Sequence, residues 1–246
     1  MQRTLLIIAA GKASRMDYLP KAAQIVDGRP NLYNTIQNAY DYFEHIVVIT
    51  SNEHHKLYSE IVEDFEDKCN VVSIKSGKGC GHAVLESLEF SSSAESVVCW
   101  GDTYFPNQDI FKFVSAADLN SDLVIPVVEE LDPYVWFESE DLAVKCARFS
   151  KNGEKTVKGY HDQSIFLIDT LKVKEHLKTM HSVLDKQGDY YTNELIFLNI
   201  CHYMWNIDRP AKIIPVEFNS YSFNTHEELR EINKRLKNEK KANRNV

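Results

Sequence analysis

Four short stretches carry side chains whose types and spacing suit phosphate chemistry. The first is Ala9-Ala10-Gly11-Lys12-Ala13-Ser14-Arg15-Met16, with Pro20-Lys21 just behind it. Small residues after a buried strand let a backbone turn come close to a ligand. The N–H groups of such a turn can cradle phosphate oxygens. Arg15 offers a planar fork for phosphate and Lys21 a mobile point charge. The stretch is neither a Walker A loop nor a Gly-x-Gly-x-x-Gly fingerprint. On these residues alone, a phosphate site and a tight strand-to-helix turn with two surface cations both stay open.

The second stretch is Ser76-Gly77-Lys78-Gly79-Cys80-Gly81-His82-Ala83. Its glycines sit between a strand and a helix, where a loop can lie flat against a base. The helix N-terminus behind it adds partial positive charge. The competing reading is a turn with a chance glycine cluster. In the third, Cys99-Trp100-Gly101-Asp102-Thr103, an apolar strand ends in Gly-Asp. A carboxylate there suits Mg²⁺, which takes oxygen ligands and substrate phosphates. A lone Asp after a strand is also an ordinary turn former. The fourth is Phe223-Asn224-Thr225, where the Asn224 oxygen can reach the same metal. On these residues alone, helix capping is the better explanation of such an Asn.

The elements that must position these residues follow from hydrophobic periodicity. Strands are expected at residues 5–9, 45–50, 71–74, 96–100 and 123–128. Helices are expected between them, near 31–43, 53–65, 81–90 and 108–117. Apolar strands interleaved with helices imply a mainly parallel mixed sheet covered on both faces, a three-layer α/β/α arrangement. Right-handed crossovers then gather the loops after the strands along one edge, where ligands bind. Residues 136–138, 143–149, 155–160 and 164–168 read as short strands, a small β-rich, antiparallel excursion that covers the acceptor. Helices follow near 170–179 and 192–201, and a late strand at 213–216. Thr225-His226-Glu227-Glu228 has the form of a capping box, so the last helix starts there and runs towards 241. The polar tail 240–246 is expected to fray. With no repeat and no linker, the 246 residues read as a single domain. Its nucleotide-binding half is 1–130, its acceptor and lid half 131–222, and its closing helix and tail 223–246.

Composition narrows the class. The formal charge of −8 argues against a nucleic-acid partner, which would call for a basic surplus. The opening apolar run is too short to span a membrane and lacks a signal-peptide cleavage pattern. The five cysteines, Cys69, Cys80, Cys99, Cys146 and Cys201, form no C-x-x-C pair. That disfavours a disulfide framework or a zinc site and fits a cytoplasmic protein.

Taken together and in this order, the four stretches resemble the nucleotidyltransferase superfamily with a GT-A-like, Rossmann-type fold. The likeness is to sugar-1-phosphate nucleotidylyltransferases and MobA-like NTP transferases. Ala9 to Met16 with Pro20-Lys21 is similar to the family's opening Ala-Ala-Gly-x-Gly-x-Arg-Met and Pro-Lys. Gly79-Cys80-Gly81-His82-Ala83 resembles the Gly-Thr-Gly-His-Ala base loop of N-acetylglucosamine-1-phosphate uridylyltransferases. Gly101-Asp102 and Asn224 match the family's metal contacts, and Gly159-Tyr160 its acceptor stretch. Ala13 departs from the family's second glycine, and the interval between Arg15 and Lys21 is short.

The resemblance implies Mg²⁺-dependent transfer of a nucleoside monophosphate from an NTP, CTP or UTP favoured, to a phosphorylated small molecule. A sugar phosphate or similar surface-glycan precursor is the expected acceptor, and pyrophosphate the product. Arg15 and Lys21 are then catalytic, and Asp102 and Asn224 hold the metal. Ala9, Ala10, Gly11, Lys12, Ala13, Ser14, Gly79, Cys80, Gly81, His82 and Gly101 bind nucleotide. Lys145, Gly159, Asp162 and Glu194 are the acceptor candidates. Tyr134, Trp136, Tyr190 and Tyr191 line the lid or pack in the core, and the stretch 189–194 reads first as a helix start. A homo-oligomer is compatible with all of this. A glycosyltransferase of the same general fold would need Asp-x-Asp after the fourth strand, and Asp102-Thr103-Tyr104 lacks the second Asp. A non-catalytic nucleotide or sugar-phosphate binder is the other alternative.

Overall fold

Leu5, Leu6 and Ile7 are fully buried, yet they serve two different cores. Side chains alternate across a strand, so Leu5 and Ile7 join one apolar cluster and Leu6 the other. A strand buried on both faces is the centre of a layered α/β fold. The computed structural model describes residues 2–11, 16, 19–75, 79–150, 158–187 and 194–243.

The first half alternates strand and helix. It holds β1 (Thr4–Ile8), the hairpin β2 (Ile25–Val26) and β3 (Arg29–Pro30), α1 (Asn31–Ala39), β4 (His45–Ser51), α2 (His55–Ile61) and β5 (Cys69–Ile74). Then come α3 (Cys80–Ser87), β6 (Glu95–Trp100), β7 (Thr103–Tyr104), α4 (Asp109–Ala116) and β8 (Leu123–Leu131). The second half holds β9 (Val135–Glu140), β10 (Ala143–Phe149), β11 (Lys158–Asp162), β12 (Ile165–Asp169) and α5 (Thr170–Gln187). It closes with α6 (Ile200–Asn206), β13 (Lys212–Pro215), β14 (Tyr221–Ser222) and α7 (His226–Asn243).

Among the described residues, ten strands form one mixed sheet in the order β5-β4-β1-β6-β12-β8-β13-β10-β9, with β11 paired to β8. Strands β5, β4, β1 and β6 are parallel neighbours, and Leu5 lies between Ile46 and Val97. Strand β12 runs antiparallel to both β6 and β8. Helices α3, α5 and α6 cover one face through Val84, Leu177 and Met204. Helices α1, α2 and α4 cover the other through Ile36, Tyr58 and Phe111. Helix α7 stands apart and packs Leu236 against Met16, Val26, Tyr104 and Phe223.

The β-rich excursion is antiparallel and grows out of the main sheet. Strand β9 pairs with β10, β10 with β13, and β11 with β8. Pairing with β11 carries β8 on to Leu131, past its apolar run. The helix expected over 53–65 is shorter: α2 ends at Ile61, and a 3-10 turn follows at Glu63–Phe65. The helix expected over 192–201 needs correction. Residues 194–196 are not helical, a 3-10 turn spans Phe197–Asn199, and α6 starts at Ile200. The Leu195 carbonyl explains this, because it accepts the Gly81 N–H at 2.7 Å and so serves α3 rather than a helix of its own. Residues 155–157, 192–193 and 244–246, also named in the sequence reading, lie outside the described residues. No helix among the described residues is long and apolar enough to cross a membrane.

Candidate active site

Parallel pairing brings two strand ends together. Ile8 and Trp100, the last residues of β1 and β6, are in register, so the segments after them leave side by side. The Gly101 N–H donates to the Ile8 carbonyl at 2.9 Å. A Cβ on Gly101 would come within 3.0 Å of the Ala9 Cβ and 3.1 Å of the Ile8 carbonyl. Glycine is what allows this approach. Ala9 and Ala10 are buried, while a Cβ on Gly11 would meet nothing within 4 Å. The turn therefore opens outward at Gly11. Lys12, Ala13, Ser14 and Arg15 lie outside the described residues.

Lys21 stands in a 3-10 turn, Lys21–Ala23, entered through Pro20. Its ammonium donates to Asp102 Oδ2 at 2.8 Å and to Asn224 Oδ1 at 2.9 Å. Three of the residues singled out by type, drawn from positions 21, 102 and 224, thus meet at one nitrogen. The Lys21 and Asp102 side chains are 18% and 35% exposed, so solvent and ligand reach the pair.

A small ladder absent from the sequence reading sets this geometry. Strands β7 and β14 pair with Thr103 opposite Ser222 and Tyr104 opposite Tyr221. The Thr103 and Ser222 hydroxyls lie 2.9 Å apart, and Ser164 joins Ser222 at 3.2 Å. Asp102 directly precedes one strand of this ladder, and Asn224 follows the other by two residues. Asn224 also lies at the entry to α7. The Thr225 hydroxyl accepts the Glu228 N–H at 3.2 Å, and the Glu228 carboxylate accepts the Asn224 N–H. Thr225 and Glu228 perform the capping, which leaves the Asn224 side chain to Lys21.

Helix α7 also grips the hairpin behind Lys21. The Asn233 amide donates to the Ile25 carbonyl at 3.0 Å and accepts the Asp27 N–H at 3.0 Å. Asp27 and Gly28 have φ of 53° and 88°, the two positive values that a tight two-residue hairpin turn demands. Tyr58 on α2 is 1% exposed and lies under the same site. Burial first, then the charge of Asp102, push its phenol well above the ordinary range, against a hydrogen bond with the Ala22 backbone. Tyr58 therefore stays neutral and hydrogen-bonding beneath Lys21. Asn31, Tyr58, Ser164 and Ser222 were not singled out by sequence; none belongs to a recognisable spacing.

The Gly79-Cys80-Gly81 turn has its own structural reason. Gly79 has φ +95°, and a Cβ there would sit 2.5 Å from the Leu195 carbonyl. One on Gly81 would sit 2.8 Å from the same oxygen. The Phe197 N–H donates to the Cys80 Sγ at 3.3 Å. The glycines thus let the segment at 194–197 close over the start of α3. His82 is buried and packs between α3 and α5, with its ring 5.5 Å from His181 and 3.6 Å from the Glu86 carboxylate.

The acceptor candidates sit on several elements. Lys145 on β10 is bound to Glu140 at 2.7 Å and lies over the Trp205 ring. Gly159 lies under Trp136, whose Cβ would be 3.1 Å from an added methyl. Glu194 lies beside Gly79. Asp162 is 5% exposed and accepts the Ser164 N–H at 2.8 Å. Burial pushes its carboxyl above the usual range, and the charge of His161 and the Ser164 N–H only partly oppose this. Tyr134 is exposed and touches Phe149, and Tyr190 and Tyr191 lie outside the described residues. A second polar cleft, lined by Asp122, Asp169, Lys172 and Arg209, lies at the opposite edge of the sheet, where β8 begins. Its buried carboxylate is already matched by Lys172 and His176.

A divalent cation suits the Asp102–Asn224 pair. Both oxygens already turn to one positive charge, and one carboxylate plus one amide oxygen leaves room for phosphate and water ligands. Among the described residues, no group of three His, Cys, Asp or Glu side chains forms a complete metal cage.

A mixed α/β sheet with its polar cluster at the carboxyl ends of two parallel strands defines the class of Rossmann-type ligand-binding proteins. Residues 5–164 match the MobA-like NTP transferase domain, and the chain belongs to that family. The bifunctional protein GlmU of Pseudomonas paraeruginosa (strain DSM 24068 / PA7) is 28% identical over 134 residues, 54% of this chain. The matched part is 29% of that relative's length. The inositol-1-phosphate CTP transferase of T. maritima shares the fold with a TM-score of 0.73 at 14% identity, over 94% of this chain and 96% of that one. HddC of Yersinia pseudotuberculosis does so with a TM-score of 0.72 at 17% identity, over 96% and 100% of the two chains.

Proposed function

We propose that the protein transfers a nucleoside monophosphate from an NTP to a phosphorylated small molecule and releases pyrophosphate. The meeting of Lys21, Asp102 and Asn224 at the strand-end edge carries this reading. Family membership supports it. The acceptor's phosphate oxygen attacks the α-phosphorus. The bond from that phosphorus to the bridging oxygen breaks, and its electron pair leaves with pyrophosphate. The attacking group is already an anion, so positioning and charge neutralisation matter more than a protein base.

Asp102 and Asn224 would hold Mg²⁺, which supplies neutralisation of phosphate charge when bound. Lys21 is a point charge on a flexible stem. It leaves its two oxygen partners for the triphosphate and stabilises the charge that builds there. Arg15 joins it on the strength of the family motif. Ala9, Ala10, Gly11 and Gly101 shape the backbone beside the phosphates, and the Gly79–Gly81 turn borders the base. Asp162, Gly159, Glu194 and Lys145 face the acceptor, with residues 131–222 as the covering half of one domain. CTP or UTP is the favoured nucleotide. A sugar phosphate or related glycan precursor is the favoured acceptor, in keeping with proteins of similar fold that are named as an inositol-1-phosphate CTP transferase and a putative glucose-1-phosphate thymidylyltransferase.

The test is a pyrophosphate-release screen of four NTPs with Mg²⁺ against a panel of phosphorylated acceptors. The expected result is turnover that needs both an acceptor and one preferred base. No release across the panel, and no NTP-dependent thermal shift, would overturn the reading.

A further inference from the structure

Asn31 is the first residue of α1, yet its side chain does not cap that helix. It turns instead to the neighbouring loop. Its Nδ2 donates to the Gly101 carbonyl at 3.0 Å and to the Thr103 carbonyl at 2.9 Å. These are the residues on either side of Asp102. Two acceptors fix which end of the amide faces them. The side chain is fully buried, and its Oδ1 has no hydrogen-bond partner among the described residues. A buried orphan acceptor is destabilising, and a leucine of similar volume would avoid it. The Thr35 hydroxyl donates to the Asn31 carbonyl at 3.1 Å and ties the residue into the first turn of α1.

We propose that Asn31 is a positioning residue for Asp102. Its single amide group bridges the backbone on both sides of that residue, so the carboxylate is presented towards Lys21 and Asn224 in one orientation. The orphan oxygen is the cost of that bridge. The inference rests on the proposed nucleotidyl transfer for what the cation site holds, and on the geometry for how the site is held. Outer partners that hydrogen-bond a metal ligand directly are worth about 10- to 100-fold in metal affinity, and Asn31, which acts through the backbone on both sides of the ligand, is expected at the lower end of that range.

The experiment titrates Mn²⁺ into the full chain with nonhydrolysable analogues of the four NTPs, read by water-proton relaxation. Asn31→Leu and Asn31→Ser are compared with wild type and with Asp102→Ala. Only the folded chain binds, so a folded fraction f in equilibrium with unfolded chain raises the apparent midpoint by 1/f; the folded fraction of each variant, read by circular dichroism at the titration temperature, is divided out before midpoints are compared. The expected result is a midpoint raised about 10-fold in both Asn31 variants, with metal binding lost in Asp102→Ala. Affinity for the analogue without metal should be unchanged in the Asn31 variants. A wild-type midpoint in either Asn31 variant, alongside loss in Asp102→Ala, overturns the role of Asn31 and leaves the functional reading intact. No metal binding by wild type with any analogue overturns both.

Discussion

Among single residues, the side chains of the proposed site are costly to keep where they are. Asp102 and Lys21 are half-buried and bonded to each other. Asp102→Ala removes a carboxylate from the proposed cation site and is expected to lower turnover by about 100-fold or more, as loss of a single electrostatic contact typically does. Lys21→Ala should mainly weaken use of the triphosphate, with a raised KM for NTP and a reduced kcat. Steady-state kinetics of pyrophosphate release on both variants checks this, and near-normal turnover in Asp102→Ala would remove it from the site. Lys21, Asp102 and Asn224 were all legible as chemical groups in the sequence. Their meeting was not, because residues 102 and 224 are brought together by a two-residue ladder with no periodicity to betray it.

At the element scale, the site is held by short pieces that hydrophobic pattern cannot show. Asp27-Gly28 is a strong turn dipeptide. Its flanking strands are only two residues each, too short for alternation to be read. Helix α7 was legible from its capping box, but its grip on the hairpin through Asn233 was not. Asn233→Ala breaks both of those bonds and leaves the Asp27 N–H without its partner. The expected loss is about 1–2 kcal/mol of stability, read by denaturant titration, with a KM for NTP raised because the turn bearing Lys21 loses its anchor. Unchanged KM and stability would show that α7 merely lies beside the hairpin. The stretch at 194–196 teaches a similar lesson. Its composition suits a helix, but the Leu195 carbonyl is taken by Gly81 across the fold. The glycines at 79 and 81 suit a base-facing loop or a turn in sequence, and their close neighbours in the fold are backbone and side-chain atoms of that same stretch.

At the scale of the whole molecule, the parallel part of the sheet was legible because buried strands leave continuous apolar runs. The antiparallel additions were legible as an excursion of short strands, but not their pairing with β8 and β13, which lie apart from them in sequence. Asp162, proposed to face the acceptor, also bears on overall stability. Its carboxyl pKa is raised by burial, so the folded chain holds that proton more tightly than the unfolded chain. Stability is then fully present below the ordinary carboxylate value and falls as pH rises through the raised one. Asp162→Asn is expected to melt higher than wild type at neutral pH, with the gain shrinking towards acid. It should also lose acceptor-dependent turnover, a trade common at functional sites. Thermal melts across pH check the first part. A variant that melts lower than wild type at every pH would contradict it.

Asp102 and Asn224, though distant in sequence, are proposed to serve one shared cation. A double-mutant cycle on kcat/KM for NTP, with Asp102→Ala, Asn224→Ala and the pair, tests this most directly. The expected result is a double variant little worse than Asp102→Ala alone, because the site is already lost. Losses that multiply in full, or near-normal kcat/KM for Asn224→Ala, would contradict the shared site.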